Sequence, residues 1–397
     1  MESDRRSLNI AFVGSRGLPA AYSGVEVAIQ EIGTRLVARG HSVTAFCIGA
    51  PGQKNNSDSF RGISVRYLPS IRRQGIEMLT NAFLASLIAT AGRFDIVHYQ
   101  ALGPASFSWL PRLLGKKTVV TVHGLDWKRA KWGRIGRLYL KLGEIASARC
   151  PNATITVSKS LQRHYMERFG HNPHFIPNSL PEDRVQALAE VAPPARSERR
   201  YVTFIGRLVP EKGIHDLIKA FSMIEADVDL FIVGGGQNKY ESELREAAKN
   251  DPRIKFTGPQ YGTNLVQHLR GAELFVLPSS VEGLPIGLIE AMALGVPVAV
   301  SNIPENLEVL EHGGRLAGYS FKVNSPDSLA ECIRFALSNP QVTVALATLG
   351  KAAVAEKYDW DAITSQVEKV YYQVLQLPHS NIPVSADKRV TDVKVSV

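Results

Sequence analysis

The sequence predicts an α/β chain with a doubly wound parallel sheet in each of two halves, and three observations carry that prediction. Short apolar runs recur along the chain, each followed by a loop and a helical segment, which is how parallel sheets are built. The pattern starts at residues 8–13 and starts afresh at residues 201–205. Between the halves lies a charged stretch, residues 181–200, whose Pro193-Pro194 marks an inter-domain linker. The 397 residues are enough for two domains of ordinary size, and 45% hydrophobic with 21% charged residues is a globular composition rather than a disordered one.

In the first half, residues 8–13 form a buried strand that runs into Gly14-Ser15-Arg16-Gly17-Leu18-Pro19 and then Tyr22-Ser23-Gly24-Val25-Glu26. A helix over 25–39 follows, ended by Gly40, and residues 41–48 make the second strand. A glycine loop between a strand and a helix start suits a phosphate, although an ordinary tight turn uses the same residues. The loop is not G-x-G-x-x-G, and no acidic residue ends the second strand, so a nicotinamide site is the least favoured ligand site. Residues 51–59 read as a polar loop. Strands recur at 63–68, 94–99, 118–122 and 153–157, with a helix over 78–91 between the first two. Ligands of such sheets bind outside the carboxyl ends of the strands, where His98 and His123 both stand. A lone histidine there is more often structural, but Gly124 beside His123 opens the backbone to a ligand. Ser158 is placed to cap the next helix, and Asn178 closes the half.

In the second half the strand at 201–205 leads into Gly206-Arg207-Leu208-Val209-Pro210-Glu211-Lys212-Gly213 and a helix through Phe221. Residues 230–233 run into Gly234-Gly235-Gly236, and 254–256 into Thr257-Gly258-Pro259-Gln260. The strand at 274–277 precedes Ser279 to Pro297, which holds Glu282, Gly283, Pro285, Ile286, Gly287, Leu288 and Glu290 and ends in a helix closed by Gly295. Pro285 suits the first turn, and the bare backbone at Gly283 and Gly287 lets amides face an anion such as a diphosphate. Glu282 and Glu290 then lie on one cleft. The competing reading is a core helix with one capping and one solvated glutamate. A strand at 296–300, helices over 328–337, 342–356 and 362–375, and a disordered tail complete the expectation.

Cys47, Cys150 and Cys332 are odd in number and in no metal-ligand spacing, so a reduced cytoplasmic setting with no metal site is expected. Neither a signal peptide nor a membrane span is read, because the most apolar helix, 78–91, is shorter than the roughly 20 residues a span needs. The net charge of +9 is uneven: from Arg112 to Arg149 there are ten Lys or Arg against two acids, Asp126 and Glu144. A solvated basic surface is the plain reading. Interleaved Trp127, Trp132, Tyr139 and Leu140 favour an anionic membrane surface over nucleic acid, for which no motif is present.

Glu282-x7-Glu290 ending in Ala291-Met292-Ala293, joined to Gly206-Arg207-x4-Lys212-Gly213, resembles the retaining nucleotide-sugar glycosyltransferases of family 4. Gly14 to Pro19, Tyr22 to Glu26 and His123-Gly124-Leu125-Asp126-Trp127 are similar to its bacterial rhamnosyltransferase-like branch. The resemblance spans the chain to about Leu375. It implies the GT-B fold of two facing Rossmann-like domains: 1–185 on the acceptor side, 200–357 on the donor side, a helix over 358–376 returning to the first domain, and a tail over 377–397. It implies Arg207 and Lys212 on the donor diphosphate, Glu290 on the ribose, Glu282 and His123 at the transferred sugar, and amides of residues 284–288 on phosphate oxygens. Gly14, Gly17, Ser23, Gly24, Gly206 and Gly234 would let the donor approach, with Ser158 and Asn178 lining the cleft. Ser23 stands where the pattern usually has glycine, and Ser179 departs likewise after Asn178.

The expected reaction is metal-independent transfer of a sugar from a nucleoside diphosphate to a saccharide or lipid-linked acceptor, with retention, at the inner face of a membrane and with no nucleic acid involved. The same fold used for nucleotide-sugar epimerisation or phosphorolysis, and a catalytically silent nucleotide-binding protein, are the alternatives.

Overall fold

The structure, a computed structural model, describes residues 6–20, 24–49, 57–71, 76–128, 132–180, 200–236 and 238–377. The expected tail over 378–397 and all of the expected linker but Arg200 lie outside these residues, as do Ser23, Arg129 and Lys131.

The apolar runs of the first half become one sheet: β1 (Asn9–Val13), β2 (Ser42–Ile48), β3 (Ser57–Phe60), β4 (Ile63–Leu68), β5 (Ile96–Gln100), β6 (Lys117–Val122), β7 (Ala153–Thr156) and β8 (His174–Phe175). Their order is β3-β4-β2-β1-β5-β6-β7-β8, with only the β3–β4 pair antiparallel. β3 corrects the sequence reading of a loop over 51–59. It is an edge strand joined to β4 by a two-residue turn in which Arg61 (φ 46°) and Gly62 (φ 82°) both take left-handed backbone, the geometry of a tight hairpin. An edge strand needs no continuous apolar run, so hydrophobicity alone misses it.

Each face of this sheet is covered. Helix Gly24–Ala38 buries Ile29, Ile32 and Leu36 against β1, β2 and β4. Helices Glu77–Ala91, Leu102–Ala105, Arg134–Arg149 and Lys159–Phe169 cover the other face with Ala82, Ala85, Leu102, Leu140 and Tyr165. With both faces buried, the central strands carry apolar residues throughout, which is why they are legible in the sequence.

The second sheet contains β9 (Tyr201–Ile205), β10 (Asp229–Val233), β11 (Ile254–Gly258), β12 (Leu274–Leu277) and β13 (Val298–Ser301). After a small hairpin of β14 (Glu311–His312) and β15 (Arg315–Leu316), β16 (Tyr319–Phe321) completes it. The order β11-β10-β9-β12-β13-β16 is parallel throughout. The chain is thus two Rossmann-like α/β domains, as the sequence predicts.

The last helix, Trp360–Leu375, belongs to the first core. Trp360, Ile363, Val367, Val370, Tyr371 and Tyr372 are buried with Leu8, Ile10 and Phe12, and each such apolar side chain contributes about 1.5–3 kcal/mol of burial. Asp359 caps this helix by accepting from the Ala362 amide at 2.8 Å. The Glu368 carboxylate accepts from Arg39 Nη1 at 2.8 Å and lies 3.2 Å from His41 Nε2. Burial works to raise its pKa, but His41 and Arg39 hold it down to about 2. His98 is the structural histidine that the plain reading favours, although it sits within β5 rather than at its end: it is fully buried, 2.7 Å from both Tyr371 Oη and Thr121 Oγ1. Burial, aided by nearby His123, drives its pKa to about 3, so it is a neutral core residue and not part of the cleft.

The chain passes between the domains twice in one neighbourhood. The Trp360 indole donates to the Leu180 carbonyl, and Ser179 Oγ donates to the Tyr358 carbonyl at 2.6 Å.

Candidate active site

In the second sheet β9 has β10 on one side and β12 on the other, so the chain leaves β9 and β12 in opposite directions and a crevice opens between their carboxyl ends. The loop after β9 carries Arg207 and Lys212, and the loop after β12 carries Glu282. Residues seventy positions apart therefore converge. Lys212 Nζ lies 2.5 Å from Glu282 Oε1, with side-chain exposures of 18% and 9%. The pair is well desolvated, so its field is stronger than that of a surface pair.

Backbone packing sets this position. Pro210–Lys212 is one turn of 3-10 helix closed by Gly213 in left-handed backbone (φ 67°). A Cβ at Gly213 would stand 2.2 Å from the Pro278 carbonyl oxygen, and the Ser280 amide donates to the Glu211 carbonyl at 2.9 Å. The Arg207 loop is likewise sewn to the Gly234 loop. The Gly206 amide donates to the Val233 carbonyl at 3.0 Å, the Leu208 amide donates to the Gly235 carbonyl at 3.0 Å, and a Cβ at Gly234 would stand 1.8 Å from the Gly206 carbonyl. Gly206 and Gly234 thus let two loops meet at the sheet's carboxyl edge. Arg207 is exposed there and makes no ion pair among the described residues.

Helix Ile286–Ala293 begins one residue later than the sequence suggests, with Pro285 at its N-cap (φ −78°, ψ 82°). The Ile286 amide donates to the Leu284 carbonyl and the Leu288 amide to the Pro285 carbonyl, both at 3.0 Å. Pro285 has no N–H, so residues 284–288 offer four amides, and these two of the four already have internal acceptors, because the helix start is wound into a tight turn. Leu288 is a core side chain, Gly287 packs on the end of β9 near the Ile205 carbonyl, and Glu290 is buried one turn further on.

The first domain supplies the opposite wall. Its β1–β5 crevice is flanked by Gly14 and Gln100. Gly14 (φ 113°) is fixed by packing, since a Cβ would stand 2.7 Å from the Gln100 carbonyl, whereas Gly17 faces open space. The Gly14 loop is held by helix Gly24–Ala38: the Arg16 amide donates to Glu26 at 3.3 Å and the Ala20 amide to Gln30 at 2.9 Å. His123 Nε2–H donates to Gln100 Oε1 at 2.7 Å, and Asn178 Nδ2–H donates to His123 Nδ1 at 3.0 Å. Both ring nitrogens are thus engaged, and the ring is held in place. Sequence reasoning missed Gln100, whose signal is a buried amide ending a strand that is otherwise apolar but for His98.

The two walls touch. A Cβ at Gly283 would stand 1.9 Å from the His123 carbonyl, and one at Gly24 would stand 3.9 Å from Ile286 Cγ1. Leu284 packs into a small cluster of Leu125, Val157 and Leu161 from the first domain. Lower in the cleft, Ser158 caps helix Lys159–Phe169, accepting from the Leu161 amide at 3.2 Å. Glu308 accepts from the Lys159 amide at 2.8 Å and the Ser160 amide at 3.3 Å, and Ser160 Oγ donates to Glu305 at 2.6 Å. This is a carboxylate from one domain seated on a helix start of the other, and burial raises the Glu308 pKa against those amides. Glu305 and Glu308 carry no sequence motif and were not anticipated.

Two Rossmann-like domains with their carboxyl ends facing across such a cleft are the architecture of the GT-B glycosyltransferases. Solved structures agree: sucrose-phosphate synthase from Thermosynechococcus elongatus superposes with a TM-score of 0.77 at 21% identity, covering 94% of this chain and all of that one. Anabaena HepE in complex with UDP and glucose gives 0.71 at 20%, covering 92% and 100%. Residues 22–184 match the family model described as Glycosyltransferase Family 4, and residues 188–370 match Glycosyl transferases group 1. A curated relative, phosphatidyl-myo-inositol mannosyltransferase of Mycobacterium tuberculosis, is 27% identical over 366 residues, 88% of this chain and 93% of its own length. The chain is a GT-B glycosyltransferase of family 4.

Proposed function

We propose that the protein transfers a sugar from a nucleoside diphosphate to an acceptor hydroxyl with retention at the anomeric carbon, without a metal, and that the acceptor is a lipid-linked saccharide. The observation that carries this reading is the Lys212–Glu282 pair in the second sheet's crevice, set against the His123–Gly124 loop. A leaving nucleoside diphosphate gains negative charge as the anomeric C–O bond breaks, and Lys212 with the exposed Arg207 meets that charge. The acceptor oxygen bonds to the anomeric carbon on the face the phosphate leaves, and the acceptor proton passes to the departing phosphate oxygen. Glu282 sits at the transferred sugar, and Glu290 at the ribose. His123, held by Gln100 and Asn178, orients the sugar rather than removing a proton. Gly17 and Gly24 line the first domain's side, with Gly206, Gly234 and the turn from Pro285 to Leu288 on the other. Two similar proteins suit the reading: one is a phosphatidyl-myo-inositol mannosyltransferase, and the other was solved in complex with UDP and glucose. The likeness of Gly14 to Pro19 and of His123 to Trp127 supports placing the first domain in the rhamnosyltransferase-like branch.

A thermal-shift panel of nucleoside diphosphates and their sugars tests this on wild type and on Arg207→Ala with Lys212→Ala. Stabilisation by one base family, lost in the double variant, is the expected result. Absence of any shift overturns it. Retention is read from the anomeric configuration of the product by NMR.

A further inference from the structure

We propose that the outer face of the first domain's helical layer docks on an anionic lipid bilayer, with a defined apolar stripe entering the interface. Helix Arg134–Arg149 turns Ile135, Leu138, Leu142 and Ile145 to solvent, at 87%, 61%, 55% and 37% exposure. Steps of three, four and three residues put the four on one stripe. The helix does not turn the stripe inward, because its opposite side is wedged in place: a Cβ at Gly143 would stand 2.2 Å from the Leu102 carbonyl.

Neighbouring elements widen the face. Trp109, Leu113 and Leu114 are exposed at helix Trp109–Leu113, and Phe83 and Leu87 on helix Glu77–Ala91. The Phe83 ring lies 5.5 Å from that of Phe107, which joins these two helices. Large apolar side chains left in solvent in this number mark an interaction site.

Charge identifies the occupant. Arg134, Arg137, Lys141 and Arg149 are exposed on the same helix. Its one acid, Glu144, is buried 2.6 Å from His164 Nε2 and so does not offset them at the surface. Apolar residues flanked by cations suit an anionic bilayer. A second copy of this chain would bring the same cations against each other, and a nucleic acid would leave the stripe unburied. Among the described residues no helix is long and apolar enough to cross a membrane, so the contact is a lateral one. The Lys128 and Lys141 ammonium groups lie 5.7 Å and 5.1 Å from the Trp127 ring, four residues beyond His123. Docking therefore sets the mouth of the cleft at the bilayer. That the acceptor comes from this bilayer rests on the transfer reading above; the docking itself does not.

The test is cosedimentation with phosphatidylcholine vesicles, with and without phosphatidylglycerol, at low and raised salt. Wild type is expected to bind only the anionic vesicles. Arg134→Gln with Arg137→Gln and Lys141→Gln is expected to bind about a hundredfold more weakly, at roughly a fivefold loss per cation. Leu138→Glu with Leu142→Glu is expected to abolish binding. Unchanged stabilisation by nucleoside diphosphate in both variants shows that fold and donor site survive. Wild type that stays in solution at low salt overturns the proposal, as does binding that neither variant weakens. A concentration-dependent dimer lost in the leucine variant, without vesicle binding, assigns the face to a second copy and overturns it as well. Failure of the transfer reading shows separately, as vesicle binding without stabilisation by any nucleotide.

Discussion

Glu282→Gln is expected to tighten the binding of nucleoside diphosphate while lowering transfer. Lys212 Nζ is held by Glu282 Oε1 at 2.5 Å. An arriving diphosphate must share that ammonium with the carboxylate and bear its repulsion. Two like charges about 5 Å apart interact by about 3 kcal/mol at an effective dielectric of about 20. Residual solvent around partly exposed phosphates and mobile salt reduce this to about 1–2 kcal/mol, which is about a tenfold change in affinity. Glutamine keeps the size and an acceptor oxygen but removes the charge, so the ammonium turns fully to the ligand. The assay is titration calorimetry with the nucleoside diphosphate chosen by the thermal-shift panel, beside the steady-state transfer rate. Lys212→Met is the complementary variant: it strands Glu282 and is expected to weaken binding. In the Lys212→Met background the Glu282→Gln gain should persist, because the repulsion it removes acts on the ligand directly. A Glu282→Gln variant that binds diphosphate no better than wild type, with its thermal stability intact, would refute the reasoning.

Three further outcomes follow from contacts described above. Glu368→Gln should cost about 3 kcal/mol near neutral pH, the worth of a carboxyl shifted from its ordinary 4.5 to about 2. Because the folded-state pKa is the lower one, wild type has this stability above about 4.5 and loses it as pH falls toward 2, so denaturant midpoints of variant and wild type should converge there. Gly283→Ala should lower kcat/KM by at least tenfold with little loss of stability, since a methyl 1.9 Å from the His123 carbonyl props the two walls apart. Small-angle scattering with and without nucleotide should show the wider cleft. Glu308→Ala removes the carboxylate from the Lys159 and Ser160 amides and should also favour an open form, raising KM for the donor while each domain keeps its own unfolding transition.

The strands at the centres of both sheets were legible because burial on two faces forces an unbroken apolar run, as in IAFV of β1 and LFVL of β12. The strand-loop-helix unit at residues 274–293 was legible for the same reason. β3 was not, since an edge strand is written in its turn residues rather than in hydrophobicity. Helix Arg134–Arg149 registered as a basic patch and not as a helix, because several of its large apolar residues point outward and blur the usual contrast of faces. At the site, the sequence named Lys212 and Glu282 but could not express their contact, which comes from two loops meeting where strand order reverses. Gln100 escaped notice, and Asn178 was named for the cleft without its contact to His123, because nothing local ties either amide to that ring. The seat of Glu308 was silent for a similar reason: its partners are backbone amides, which carry no residue identity.

The placement of helix Trp360–Leu375 in the first domain's core bears on the order in which the protein is made. A ribosome delivers all eight strands of the first sheet before it delivers β9, yet Trp360, Val367 and Tyr371 arrive only after the second sheet is complete. Until then the side of β1 and β5 that will receive them is bare, and His98 lacks its tyrosine partner. The domain made first is thus the domain finished last. A nascent chain halted anywhere in the second half leaves an apolar flank exposed, which exposes unfinished copies to chaperones and proteases.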